Sequence, residues 1–267
     1  MVPEWAKDDR AQAGNIRFRA VTFCYPFRPE VTALASMSFS VAAGSSVGLV
    51  GPSGGGKSTI IALLQRFYDP DSGAVLVGSE QTALTSIDIR WWRRQIGFVG
   101  QEPVLFDSTV RENVVYGVDT EGGERVDHQR YKQCKRMAQV EVSGSRPVGP
   151  RGSKLSAGQR RRVAIARALM RDPPILLLED VARALDPEEE RLLQQALEAA
   201  RAGRTFITVA QRPSVVKDCD QILVAASGAI VETGTHGELI EQAGIYSEMW
   251  QREACATPGA ATTTTTA

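Results

Sequence analysis

The sequence predicts an α/β fold in which a mixed β-sheet leads into a parallel one, and three observations carry that prediction. Short β-rich runs fill the N-terminal part, at 17–23, 46–50, 74–77 and 96–99. From residue 175 onward, apolar runs alternate with helix-compatible stretches, the rhythm of strand–helix–strand units. A glycine-rich loop at 51–59 follows one apolar run and opens another, as a strand–loop–helix unit does.

Taken in order, residues 1–15 are polar and read as a linker end, and 16–253 as one ordered domain. Val47-Gly48-Leu49-Val50 is a buried-strand run, and Ile60-Ile61-Ala62-Leu63-Leu64 suits a helix. Residues 112–140 are polar, charged and poor in strand formers, which predicts a small helical lobe, inserted over about 103–170 with the helix that follows. Ser156 and Gln159 have the spacing of a capping box ahead of the helical run 164–170. Ile175-Leu176-Leu177-Leu178 is a buried strand ending in the acids Glu179 and Asp180. Asp186, Pro187 and Glu188 to Glu190 read as an N-cap, a first-position proline and an acidic first turn. Residues 205–212 read as a further strand and its end, and Thr235 with Glu238 repeats the capping-box spacing, which leaves His236 as a surface residue. His128 lies in the polar lobe and carries no motif. Residues 254–267, with the threonine run at 262–266, are a low-complexity tail with nothing to bury.

Composition narrows the function. At 267 residues with 43% apolar content, the chain can bury one substantial α/β domain with an inserted lobe. Lys plus Arg and Asp plus Glu both total 31, so no net basic field draws it to nucleic acid. Cys24, Cys134, Cys219 and Cys255 are scattered without CxxC spacing, which argues against a zinc site or a disulfide framework and for a reducing compartment. The apolar runs fall far short of the roughly 18 residues a membrane span needs, and no signal-peptide apolar stretch opens the chain, so no membrane span of its own is expected.

The most specific motif is Gly51-Pro52-Ser53-Gly54-Gly55-Gly56-Lys57-Ser58-Thr59, which satisfies G-x-x-x-x-G-K-[ST]. Its glycines let the backbone curl so that N–H groups face phosphate, and the following helix adds its partial positive charge. Lys57 is placed to reach the β- and γ-phosphates of a nucleotide, and Ser58 to ligate Mg²⁺. Tyr25 offers a flat π-face for an adenine ring.

Tyr25 in Val21-Thr22-Phe23-Cys24-Tyr25-Pro26, Gln101 in Gly100-Gln101-Glu102-Pro103, and Leu155-Ser156-Ala157-Gly158-Gln159 stand in the order and rough spacing of nucleotide-binding domains of ABC transporters. The chain resembles that family over nearly all of 16–253, and its exporter branch in Arg66-Phe67-Tyr68-Asp69-Pro70 and Arg111-Glu112-Asn113-Val114. The resemblance implies a P-loop NTPase, RecA-like core with an antiparallel β subdomain and an inserted helical subdomain. It implies ATP and Mg²⁺ as cofactors, and a head-to-tail pairing with a second such domain at the cytoplasmic face of a membrane. A transmembrane exporter domain, which selects the cargo, is the other implied partner. Within it Tyr25 matches the adenine-stacking aromatic, and Gln101 the glutamine that touches Mg²⁺ and the attacking water. Ser156, Ala157, Gly158 and Gln159 match the signature that binds the partner's γ-phosphate, and Asp186 the aspartate that contacts the opposite subunit. Such domains are usually fused to membrane helices, so the chain is expected to be part of a longer protein.

The departures fall where hydrolysis is served. Counting back from Asp186, Glu179 takes the place of the Mg²⁺-associated Asp, and Asp180 that of the catalytic Glu. A catalytic base must come within roughly 2.6–3.2 Å of the group whose proton it takes, so an Asp one methylene short loses reach. Gln211 stands for the switch histidine; it can donate a hydrogen bond to phosphate but supplies no imidazolium and relays no proton. Ala157 replaces a glycine, which keeps its N–H available where φ is negative. Pro150 in Val148-Gly149-Pro150-Arg151-Gly152 removes a carboxylate and an N–H from a segment that couples to membrane helices. Together these imply a degenerate, slowly hydrolysing ATP site beside a different, more active partner, similar to the degenerate half of the antigen-peptide transporter, though Glu179 departs from that pattern. The competing readings are a soluble ATP-binding regulatory switch without a transport role and a fully active homodimeric ATPase.

Overall fold

The computed structural model describes residues 2, 3, 5, 10–118 and 127–256. Its strands are β1 (Ile16–Tyr25), β2 (Arg28–Val41), β3 (Ser46–Val50), β4 (Ser72–Val77), β5 (Thr82–Ala83), β6 (Ile96–Val99), β7 (Ile175–Glu179), β8 (Thr205–Val209), β9 (Gln221–Ala226) and β10 (Ala229–Gly234). Its α-helices are α1 (Lys57–Leu64), α2 (Ile89–Arg94), α3 (Val110–Val115), α4 (His128–Met137), α5 (Ala157–Met170), α6 (Pro187–Arg201), α7 (His236–Glu241) and α8 (Ile245–Ala256). The strands form two sheets, one antiparallel in the order β2-β1-β4-β5, the other in the order β10-β9-β3-β8-β7-β6 and parallel except for β10.

The α/β class and the antiparallel subdomain therefore stand, but the runs at 46–50 and 96–99 leave the mixed sheet and join the parallel one. Every residue of β3 is buried, an environment that the centre of a helix-covered parallel sheet supplies. The 14-residue strand β2 has no counterpart in the sequence reading. Its inward residues Leu34, Met37 and Val41 are spaced by three and four, a helical rather than an alternating rhythm. Register shifts along β1–β2 account for the spacing, with Ala20 and Ser36 at φ 47° and 51°.

Alternate residues of β7 point to opposite sides of the sheet and separate the interior into two cores. Leu176 and Leu178 pack with α5, α6 and the helical lobe, while Ile175 and Leu177 pack with α1 and the antiparallel sheet. The lobe, α3 to α5, is inserted between β6 and β7, which are themselves neighbours. Thr109 and Glu112 cap α3 reciprocally, Asp127 caps α4, and Arg167 of α5 grips the fully buried Asn113 at 2.6 Å. Within the stretch read as a linker end, Trp5 is buried; its indole donates to Thr82 Oγ1 at 3.2 Å and meets Trp91 edge-on at 5.9 Å. The threonine run at 262–266 lies outside the described residues.

The edge of the parallel sheet opposite the loop is pinned by one carboxylate. Asp220, just before β9, accepts from both the N–H and the hydroxyl of Ser46 at 2.8 Å, and these bonds hold it below the usual carboxylate range. A depressed pKa contributes stability above the unfolded value and loses it as pH falls through the folded one. Asp220→Ala is therefore expected to cost about 1 kcal/mol at pH 7, limited by exposure of the carboxylate to solvent. In urea titrations the gap to wild type should close as the pH drops below about 4.

Candidate functional site

Strand β3 ends in the loop 51–56, whose conformation depends on missing side chains. Gly51 sits at φ 138°, where a Cβ would lie 2.0 Å from the carbonyl oxygen of Ala225. Gly56, the N-cap of α1, sits at φ 94° with a Cβ position 2.6 Å from Leu34. These two positions bend the chain so that the first turn of α1 opens towards a cleft. Lys57 is only 8% exposed, and its Nζ donates to the carbonyls of Gly51 and Pro52 at 2.8 Å each. Burial lowers its pKa, and the nearby Asp180 carboxylate partly offsets that.

The cleft encloses about 450 Å³. One wall is the loop from Ser53 to Thr59, and the other is the β1–β2 hairpin with Tyr25, Phe27, Arg28, Val31, Thr32 and Ala33. Asp180, Val209 and Gln211 close it. The Tyr25 hydroxyl is 3.1 Å from Thr59 Oγ1, and its ring touches those of Phe23, Phe27 and Tyr68 at centroid distances of 5.0, 5.3 and 5.4 Å. The sequence reading had no place for the hairpin residues beyond Tyr25. The one signal was Phe27, a large apolar residue in a turn, and it is 71% exposed.

Asp180 and Gln211 meet directly. One carboxylate oxygen accepts from the Gln211 backbone N–H at 3.0 Å, the other from its Nε2 at 2.9 Å. Asp180 itself sits at φ 48°, with its N–H donating to Val209 at 2.8 Å. Glu179, the last residue of β7, does not line the cleft.

Other predicted residues lie elsewhere on this chain. Gln101 and Ala157 line a separate groove of about 650 Å³ with Glu102, Arg151, Arg160 and Arg161. Ser156 and Gln159 cap α5 reciprocally, Ala157 and Gly158 form its first turn, and neither has a positive φ. Asp186 caps α6 by accepting from Glu189 N–H at 2.8 Å. Pro150 opens a 3₁₀ turn, Pro150–Gly152, in which Arg151 adopts φ 51°. His236 is half-buried rather than a free surface residue, with Nδ1 2.8 Å from the Tyr246 hydroxyl and its ring against Trp250, because α8 folds back over α7. His128 is exposed, 3.2 Å from Arg111.

The family model for ABC transporters matches residues 34–182, from inside the hairpin wall to just beyond Asp180. This chain belongs to the ABC transporter family. It is 42% identical over 248 residues to multidrug resistance protein pgp-1 of Caenorhabditis elegans, covering 90% of this chain and 18% of that protein. It is also 42% identical over 247 residues to the mitochondrial potassium channel ATP-binding subunit of Mus musculus, 90% of this chain and 34% of that one. The chain thus spans less than two thirds of these relatives' length. A solved bacterial Atm1-family ABC exporter with ATP bound superposes with a TM-score of 0.81 at 37% identity, covering 92% of this chain and 42% of that one. The fold is accordingly the P-loop NTPase fold of the ABC ATPases, and the matched segment corresponds to their nucleotide-binding domain. Among the described residues, no helix is long and apolar enough to cross a membrane.

Gly51→Ala would place a methyl group against the Ala225 carbonyl at a φ that L-residues avoid. It is expected to destabilise the protein by at least roughly 1–3 kcal/mol in urea unfolding. An unchanged midpoint would mean that the loop does not need its curl.

Proposed function

We propose that this chain is an exporter nucleotide-binding domain that binds Mg-ATP, pairs with a second and different such domain at the cytoplasmic face of a membrane, and turns over its own ATP slowly. The observation that carries the slow turnover is the closed pair of Asp180 and Gln211. A general base needs a free lone pair aimed at the attacking water. Here each oxygen of the shortened carboxylate accepts one hydrogen bond from Gln211, which fixes the direction of the lone pair that each has left and keeps the short side chain from being re-aimed at a water. Gln211 spends one of its two Nε2 protons on Asp180, and its amide, unlike an imidazole, relays no proton.

Binding, by contrast, is well provided for. Lys57 and the loop N–H groups supply the anion cradle, and the Tyr25–Phe27 pair supplies aromatic faces for a base. Ser58 and Asp180 bring hard oxygen donors to the cleft, a set that suits Mg²⁺, which binds through one or two such ligands plus phosphate oxygens and water. The bound ion would neutralise phosphate charge. Asp186 and the signature residues Ser156 to Gln159 are outside the cleft, which fits roles completed by an opposing domain, whereas Gln101, read as reaching Mg²⁺ and the attacking water, also lies outside it in this arrangement. A surface for a transmembrane partner is offered by Val104, Phe106 and Tyr116, all exposed, with the two rings 4.2 Å apart and Arg167 over both. The cargo would be set by that partner.

Lys57→Ala is expected to weaken ATP binding on the order of 100-fold in calorimetric titrations. Single-turnover assays of wild type should give rates below about 1 s⁻¹. The double substitution Asp180→Glu with Gln211→His is expected to raise that rate at least about tenfold, one decade being about 1.4 kcal/mol of barrier. A brisk wild-type rate that the double substitution leaves unchanged would sink the proposal.

A further inference from the structure

Three consecutive acids open α6, and each has a different partner. Glu188 pairs with Arg191 on its own helix at 2.7 Å, and Glu190 pairs with Arg212. Glu189 turns away to the start of α5. One of its oxygens accepts from the Ser156 hydroxyl at 2.7 Å, and the other from Arg162 at 2.7 Å. Gly158 accommodates it, since a Cβ there would lie 1.5 Å from Glu189 Oε2. The Glu189 side chain is 17% exposed and that of Arg162 only 6%, so the contact is largely sheltered from solvent.

A serine hydroxyl has one proton. Ser156 gives it to Glu189, while its oxygen accepts the Gln159 N–H at 3.0 Å as the helix cap. In this arrangement it has no proton left for a phosphate, and a carboxylate already stands where the N-terminal end of α5 favours an anion. We infer that Glu189 is a self-held anion on the signature helix, which the phosphate carried by a second domain must displace from Ser156 before the two domains engage. Glu189 is thereby a positioning residue that sets how readily the chain pairs, and Arg162 retains the carboxylate once Ser156 is released. The inference deepens the pairing reading given above and rests on it, although the competition itself can be read on the single chain.

The test uses the full chain carrying Lys57→Ala, so that its own phosphate loop is silent, with inorganic phosphate as the probe and the backbone amide signals of Ala157 and Gly158 as the readout. Adding Glu189→Gln keeps an oxygen for Arg162 and turns an amide N–H towards Ser156, which frees the hydroxyl proton. Phosphate affinity at these amides is expected to rise at least about tenfold. Glu189→Asp keeps the countercharge for Arg162 but withdraws from Ser156, and a smaller rise is expected. Equal affinity in the parent and both variants overturns the inference, and so does loss of folding in both, because the carboxylate then serves Arg162 alone. ATP-driven association, measured by sedimentation with Lys57 intact, separates the two readings. A phosphate response without any association in wild type or variant leaves the competition standing and refutes the pairing.

Discussion

The parallel register of β3, β8 and β7 is the constraint on which the rest depends. Leu49 lies beside Val209, and Val209 beside Glu179, so the three strands end level with one another. Whatever follows each strand must then emerge at the same edge: the phosphate loop after Val50, Gln211 after Val209, and Asp180 after Glu179. Hydrogen bonds from Asp180 N–H to Val209 and from Ala210 N–H to Leu49, at 2.8 and 3.0 Å, carry the register past the last strand residues. Ligands of open parallel sheets gather outside the carboxyl ends of the strands for this reason. The side wall is a separate contribution, since the β1–β2 hairpin belongs to the other sheet and reaches the cleft only because that sheet packs against the face of β7 that carries Ile175 and Leu177.

Two carboxylates in this chain are held by its own residues at the places where the proposed function puts nucleotide phosphates. Asp180 is bound by Gln211 at the end of the phosphate cleft, and Glu189 is bound by Ser156 and Arg162 at the start of α5. Both arrangements satisfy buried or half-buried polar groups, as a stable structure requires. Both also occupy groups that a nucleotide would otherwise engage. Asp180 and Gln211 are therefore one structural unit.

Much of the scaffold was legible in the sequence because its signals are local. The capping boxes at Ser156 and Thr235 and the cap at Asp186 follow from residues three apart on one turn, and each is formed. The apolar runs of β3, β7 and β8 reveal strands buried on both faces. Strand β2 escaped because its bulges convert a period of two into spacings of three and four, and His236 escaped because only the return of α8 covers it. The hairpin wall with Phe27, Arg28 and Val31 went unread for the same reason as β2.

The sequence by itself determined that Gly51 to Thr59 has the phosphate-loop pattern, that Glu precedes Asp after the apolar strand, and that Gln211 follows the strand ending at Val209. These are statements about neighbours along the chain, and covalent order fixes them. Which of the two acids lines the cleft, that Asp180 bonds Gln211 across 31 residues, and that Glu189 bonds Ser156 across 33 were decided only by the tertiary structure. Those contacts depend on strand register and on the packing of α6 against α5, and both are set by burial of the whole core rather than by any local spacing.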